Sequence, residues 1–430
     1  MNRAQKEDGA FATVTLDDEF SALLGKELNR SGDALKPVQD AVTALFETAI
    51  SSGETVSKGL LDKIALHIAA CDSILSAGVN EVLHHPEFQA LESTWRGLQH
   101  LAANTQWSAD LQLRVLDIQK DELIPATGSS AKFDQSPLFQ KIYESEYGVL
   151  GGHPYGTFVA DFYFDSSDAD IRIMRNLAQL GAAAHAPVIA AVSPKMLGVR
   201  TWSEMLKIED IAEKMALPEL AAWQSLRKGA DSKYLALTAP RFMGRAPYEP
   251  RTAGFDFNEE VRPDGSGFAW ANSAFAFARN VTRAFRASGW TSYIVGPNAG
   301  GGVSNLPVHV FRSDEAGAAP QCPTEVAIPS RREKELADAG FITLCHRKNS
   351  AEAAFFTATS VYKPKKDISP EATASERLSA QLNYLMPVSR FAHYLNVMVR
   401  EYIGSGLNKD QLTNKLTVWI KQYVHSNPKT

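Results

Sequence analysis

The chain has 430 residues, of which 44% are hydrophobic and 22% charged, and its formal net charge is −5. That composition belongs to a globular protein with a sizeable core, and the length suggests two or three domains. The acidic balance and the lack of a basic stripe exclude nucleic acid as a partner. Cys71, Cys322 and Cys345 lie far apart with no CxxC pair, which excludes a thiolate metal site and fits free thiols in a reducing compartment. The opening MNRAQKEDGAFATV lacks an apolar signal core and no run is long enough to span a bilayer, so a cytoplasmic location without direct membrane insertion is expected.

Taken in chain order, Gly9–Leu16 alternates and is β-branched, a strand that needs a partner from elsewhere. Asp17 then caps a short helix carrying Phe20, Leu23 and Leu24 on one side. Val38, Val42, Leu45, Phe46 and Ala49 recur at helical spacing behind Pro37, which suits a helix start. Leu60, Leu61, Ile64, Ile68, Cys71 and Leu75 define one face of a third helix after Ser57, and a fourth begins near Pro86 with Phe88, Leu91, Trp95 and Leu98. From about residue 111 the period changes to two. Strands are predicted at 111–118, 157–164, 187–193, 234–238, 290–295, 307–311, 325–328 and 341–345. Helices are predicted at 168–185, 270–286 and 331–338. Strands alternating with helices argue for an α/β core with a mixed, partly parallel sheet. After the charged linker YKPKKD (362–367) the pattern is helical again, over 377–403 with Pro387 kinking it, and over 409–423.

No catalytic constellation emerges. The loop GPNAGGGVSNLP (296–307) is rich in glycine, but no lysine follows it as in a P-loop, and Pro307 and a strand stand where a nucleotide-binding helix would begin. A tight connection is the simpler reading. His84 and His85 beside Pro86 do not have the spacing of a zinc-binding helix even with His100 nearby, and His185 reads as a structural histidine. Asp161 and Asp165 are four apart on a strand and conceivable as paired carboxylates, although nothing complements them. The cluster SRREKEL (330–336) reads as a solvated helix face or, on a polymerising protein, as a source of intersubunit ion pairs. No catalytic residue, cofactor site or metal site is assigned.

Eight strings, in this order, resemble the large subunit of the type VI secretion contractile sheath (the TssC or VipB family). They are HHPEFQALESTWRGLQHL (84–101), FDQSPLFQKIYESEYGVLGGHPYG (133–156), AAAHAPVIAAVSPKMLG (182–198), PRFMGRAPYEP (240–250), FAWANSAFAFA (268–278), the glycine loop before LPVHVF (306–311), CPTEVAIPSRREKELADAGFITL (322–344) and LSAQLNYLMPVSRFAHYLNVMVREYIGS (378–405). The resemblance covers nearly everything from about residue 80 to 405.

It implies a contractile-tail-sheath-like fold and a structural, non-enzymatic protomer. Such a protomer co-assembles with a small sheath subunit and with other copies of itself around an inner tube of hexameric secretion protein. Contraction is triggered at the baseplate, propels the tube for effector delivery, and is followed by disassembly by an AAA+ ATPase. It further implies that Val14 lies in an intersubunit strand and that Leu45 and Ile64 face the small subunit. Phe20, Leu23 and Leu24 would be read by the recycling ATPase, the alternative being that their helix packs permanently on its own subunit. The expected division is 1–105 for neighbour, small-subunit and ATPase contacts, 106–366 for the α/β core and 367–430 for a C-terminal helical region. Family members continue beyond the position matching Asn427, whereas this chain stops at Thr430. A truncated chain, or a short paralogue at a sheath end or baseplate, therefore stays open beside the main reading. From a different class, so does a nucleotide- or metal-dependent α/β enzyme.

Overall fold

The computed structural model describes residues 36–51, 58–123, 135–249, 257–311, 321–365, 369–403 and 408–424 apart from 148, 150 and 349, together with Lys26, Phe255 and Gly406. The expected strand 9–16 lies outside the described residues, as do Val14, Phe20, Leu23 and Leu24; of the expected helix 17–28 only Lys26 is described, and it is helical. The chain divides into two compact units, one from residues 1–83 with 248–259 and one from residues 84–247 with 260–430.

The first unit carries helices α1 (Lys36–Ser51) and α2 (Lys58–Leu83). In its second segment the Glu259 side chain is buried and accepts from the Tyr248 backbone N–H at 2.9 Å, while Glu259 N–H donates to the Tyr248 carbonyl at 3.0 Å. Phe255 and Phe257 stack at 5.8 Å between ring centroids.

The second unit begins with α3 (Pro86–Ala103), whose proline occupies the first turn, where a missing N–H costs nothing. A six-stranded sheet follows, built from β1 (Phe158–Phe164), β2 (Val188–Val192), β3 (Leu235–Ala239), β6 (Gly302–Val303), β7 (Phe341–His346) and β8 (Ala353–Phe355) in the order β1-β2-β3-β7-β8-β6. The first four strands in that order run parallel, and β8 and β6 join antiparallel. β4 (Phe242–Met243) and β5 (Trp270–Ala271) form a separate two-stranded pair.

Period-two alternation sorts the strand side chains into two layers. Val188, Ala190 and Val192 of β2, Leu235, Leu237 and Ala239 of β3, and Phe341 of β7 enter one core with α4 (Asp168–Ala183), α5 (Ala221–Lys228) and α7 (Ser330–Asp338). Ile189, Ala236, Ile342 and Leu344 point the other way, into a second core with α6 (Ser273–Ser288). There they meet the start of α9 (Leu382–Tyr402), through Leu382, Leu385 and Met386. Every residue of β2 and β3 is buried, as a parallel sheet covered on both faces requires. β1 is the half-buried edge: Phe158, Ala160, Phe162 and Phe164 face the first core, as the alternation predicts. α8 (Pro370–Ser379) and α10 (Lys409–Lys421) complete the C-terminal part.

Four expected strands are not strands. Residues 111–118 are held by side chains, not by a ladder: Arg114 donates to Glu146 Oε1 at 2.5 Å and to Tyr155 Oη at 3.3 Å. Downstream, Lys120 donates to Asp170 Oδ2 and to the Tyr163 carbonyl, both at 2.8 Å. Residues 290–295 are diverted by the glycine turn that follows, and the short β6 takes the place beside β8. Residues 307–311 join no ladder and meet Gln321 N–H at the His309 carbonyl. Residues 325–328 send Val326 and Ile328 into the first core, while Glu325 takes a bidentate bond from Arg241, 2.9 Å in each arm. The single helix expected over 377–403 is two, broken at Ala380–Gln381, where Ala380 O accepts from Ser360 N–H and the Leu382 N–H donates to Ala358. Pro387 lies inside α9.

The fully buried Trp223 stacks on Phe341 at 5.6 Å between centroids, whereas Val115 is 72% exposed. Trp223→Ala is expected to cost about 3–5 kcal/mol and Val115→Ser less than about 0.5 kcal/mol, read by urea unfolding of the isolated chain. Equal costs would mean that residues 111–118 are packed as a core strand after all.

Candidate functional site

The glycine loop is closed on itself. Gly301 N–H donates to the Gly296 carbonyl at 2.8 Å and Gly296 N–H to Phe355 at 2.8 Å, while Phe355 N–H returns to the Gly301 carbonyl at 2.9 Å. Asn280 Nδ2 on α6 adds a bond to Gly301 O at 3.0 Å, and Arg283 donates to Gly300 O. A Cβ on Gly301 would stand 2.2 Å from Phe355 O and 2.6 Å from Gly296 N, and Gly300 has φ +127°, so both positions demand glycine. The N–H groups of Gly296 and Gly301 that would have to cradle a phosphate are spent on the chain itself. The loop is a joint between α6, β6 and β8.

Asp161 and Asp165 do not form a carboxylate pair. Asp161 Oδ1 accepts from Asn272 Nδ2 at 3.0 Å and Oδ2 from Thr94 Oγ1 at 2.5 Å. Asn272 in turn caps α6 by accepting from Ala274 N–H at 2.8 Å. Asp161 therefore ties β1 to α3 and to the start of α6. Asp165 accepts from Ser167 N–H at 2.9 Å, and its own N–H donates to Asp170, in the turn before α4. α3 is further held by a buried bidentate pair, with Arg245 Nε 2.5 Å from Glu92 Oε1 and Nη2 3.0 Å from Oε2.

His100 stands apart from His185 and His393, whose rings meet edge-on at 6.2 Å between centroids. His100 on α3 lies against the Phe242 ring at 4.9 Å, and burial, with Arg279 nearby, pulls its pKa down to about 4. His185, at φ +49°, faces Tyr234 Oη at 3.4 Å, and His393 Nε2 sits 2.8 Å from the Ala184 carbonyl; burial lowers both. Among the described residues no three His, Cys, Asp or Glu side chains are grouped to hold a metal ion. The charged run of α7 is more than a solvated face. Arg332 binds Glu335 at 2.6 Å and donates to the carbonyls of Leu206, Ile208 and Glu209, and Glu333 is buried and accepts from Thr357 at 2.8 Å.

What the described residues present outward is apolar surface on helices. On α2, Ile68 (55% exposed), Leu75 and Val82 recur at seven-residue spacing, with Cys71 exposed between them. Leu45 lies in α1 and Ile64 in α2. On α3 the stripe divides: Leu98 and Leu101 pack on Phe275 and Ala278 of α6, while Phe88, Leu91 and Trp95 stay exposed. Gly97 permits that approach, since a Cβ there would stand 2.3 Å from the Phe275 ring. Trp290, just past α6, joins Phe391 of α9, Trp419 of α10 and Tyr423 beyond it in one aromatic cluster, leaving Val388, Val418 and Val424 exposed. The helical spacing of these residues is visible in the sequence; which of them stay uncovered is not.

Two outcomes follow from this geometry. Asp161→Ala leaves the fully buried Asn272 amide without its acceptor and is expected to cost about 1–3 kcal/mol in chemical denaturation. For His100, the unfolded chain takes up a proton below its ordinary value of 6.5, and the folded chain only near 4, so stability falls as the pH drops through that window. His100→Phe should flatten that slope in acid unfolding titrations, and an unchanged slope would place the proton uptake elsewhere.

Residues 65–362 match the VipB family, described as EvpB/VC_A0108, tail sheath N-terminal domain. Residues 371–430 match the EvpB/VC_A0108 tail sheath gpW/gp25-like domain. The type VI secretion system sheath protein TssC1 of Pseudomonas aeruginosa is 44% identical over 423 residues, which are 97% of this chain and 85% of that protein. With the α/β core, the self-closed glycine loop and the exposed helical faces, these matches place the chain in the family of large subunits of the type VI secretion contractile sheath.

Proposed function

We propose that this sheath subunit is a mechanical component without catalytic activity, and that its exposed helical faces are its working surfaces. The observation that carries the reading is α2: a 26-residue helix whose Ile68, Leu75 and Val82 repeat every seven residues and are all exposed. That spacing is the seam of a helix–helix contact, and an isolated seam of this kind is poorly accommodated by water. The occupant in this reading is the small sheath subunit, with Leu45 of α1 and Ile64 of α2 on the same docking region. Val14 belongs to an intersubunit strand, and Phe20, Leu23 and Leu24 to a helix offered to a disassembly AAA+ ATPase. Other copies of the chain, the hexameric inner tube and the baseplate are the remaining partners, and assembly takes place in the cytoplasm.

The division of labour proposed for the chain is 1–105 for contacts with neighbours, 106–366 for the core and 367–430 for the C-terminal helices. A contractile assembly stores its stroke in two packings of each subunit, so a braced core and exposed apolar helical faces elsewhere in the chain suit the task. The glycine loop and Asp161 serve that rigidity.

Co-expression with the cognate small subunit followed by negative-stain electron microscopy tests the reading, with hollow tubes as the expected result. Ile68→Asp with Leu75→Asp should abolish co-purification of the small subunit while leaving the thermal unfolding of the isolated chain within a few degrees of wild type. Discrete heterodimers without tubes would favour a paralogue acting at a sheath end. A chain that ignores the small subunit would overturn the proposal.

A further inference from the structure

Arg279 is 7% exposed on α6, yet its Nε and Nη1 have no hydrogen-bond partner among the described residues. Its one bond is a long one, from Nη2 to Ser304 Oγ at 3.3 Å. One turn on, Arg283 donates to Asn280 Oδ1 at 3.1 Å and to the Gly300 carbonyl, both neutral acceptors. Neither guanidinium makes an ion pair among the described residues. On α3, His100 Nε2 is a further buried nitrogen without a partner, and the charge of Arg279 is felt at that ring. Two cations and a neutral imidazole thus share the region where α6 meets α3 and the chain following β6, with no carboxylate paired to either cation among the described residues.

Burying an unpaired guanidinium is strongly unfavourable, while a guanidinium with a matching counter-charge is not. Burial and the mutual repulsion with Arg283 push the Arg279 pKa down, but an arginine stays charged at neutral pH. The missing element is an anion, because Nε and Nη1 of Arg279 are both buried without an acceptor and a guanidinium pairs strongly with a carboxylate.

We propose that Arg279, with Arg283 and His100 beside it, forms a carboxylate-binding site. The carboxylate comes either from a small free acid or from an Asp or Glu side chain of a neighbouring chain in the assembly. Occupancy would reach the glycine loop directly, since Arg283 and Asn280 hold Gly300 and Gly301 from the same helix.

The test compares wild type with Arg279→Met and Arg279→Lys as full-length chains. In the first arm, thermal unfolding is followed at constant ionic strength as chloride is replaced by formate. A free acid predicts a saturable rise in Tm for wild type that is absent in Arg279→Met. It also predicts that Arg279→Met is at least as stable as wild type in chloride and less stable than wild type in formate, a reversal that a purely structural arginine would not show. The second arm rests on the sheath reading and uses chains co-expressed with the small subunit. A neighbour's carboxylate predicts no formate response in the isolated chain. Arg279→Met would then be as stable as wild type alone yet deficient in tube formation, and Arg279→Lys would restore part of it. Wild type serves as the control in that arm, so its failure to form tubes would sink the sheath reading, and the formate arm would then decide the site alone. An Arg279→Met chain that is destabilised equally in both salts, or that ignores formate and assembles as wild type does, would overturn the proposal.

Discussion

The bond pair at Asp161 joins three elements that the chain must hold in register. Asp161 leaves the sheet on the side opposite Phe158, Ala160, Phe162 and Phe164, and its two oxygens are spent on Asn272 and Thr94. Through Asn272 it sets where α6 begins, and through Thr94 it sets where α3 lies. Behind it the polar chain continues inward, with Ser273 Oγ donating to Thr238 Oγ1 at 3.0 Å and Thr238 donating to the Ala190 carbonyl at 3.0 Å. Asn272, Ser273 and Thr238 are fully buried, so each must be satisfied, and together they restrict how the helix can sit on the sheet.

From that arrangement the rest of the second unit follows. β2 and β3 are covered on both faces, which obliges α6 to lie on one side and α4, α5 and α7 on the other. α6 carries Asn280 and Arg283 to the glycine loop, and the loop carries β6 to β8, closing the antiparallel end of the sheet. A protomer that must transmit force gains from such bracing, since close-packed interiors deform little before they rearrange. The surfaces left over, on α2, the outer side of α3 and the C-terminal helices, are apolar where a lone monomer would prefer them polar. A family whose members build a sheath supplies the reason for that surplus.

Much of this was legible in the residues. The alternation of TFVADFYF, the uniformly apolar PVIAAVS and the helical stripes behind Pro37, Ser57 and Pro86 correspond to elements at those places. Those signals come from local periodicity and from proline's fixed backbone, which need no tertiary context. The same rule misjudged 111–118, 290–295, 307–311 and 325–328, where alternation is present but no neighbouring strand offers its backbone. It also passed over β8 and β6, whose AAF and GV are too short and bland to announce a ladder.

By itself, the sequence determined the α/β alternation, the helical ends and, through its motif strings, the sheath family, because these depend on side-chain period and on residue identity along the chain. Only the tertiary structure decided that Asp161 and Asp165 part company, that the glycine loop spends its own N–H groups, and that Arg279 is buried without a counter-charge among the described residues. It alone also decided that Leu98 is covered while Trp95 is not. The physical reason is shared by all four. Pairing, burial and exposure are relations between segments distant in sequence, and a hydrogen-bond donor or an apolar ring shows what it lacks only once its neighbours are in place.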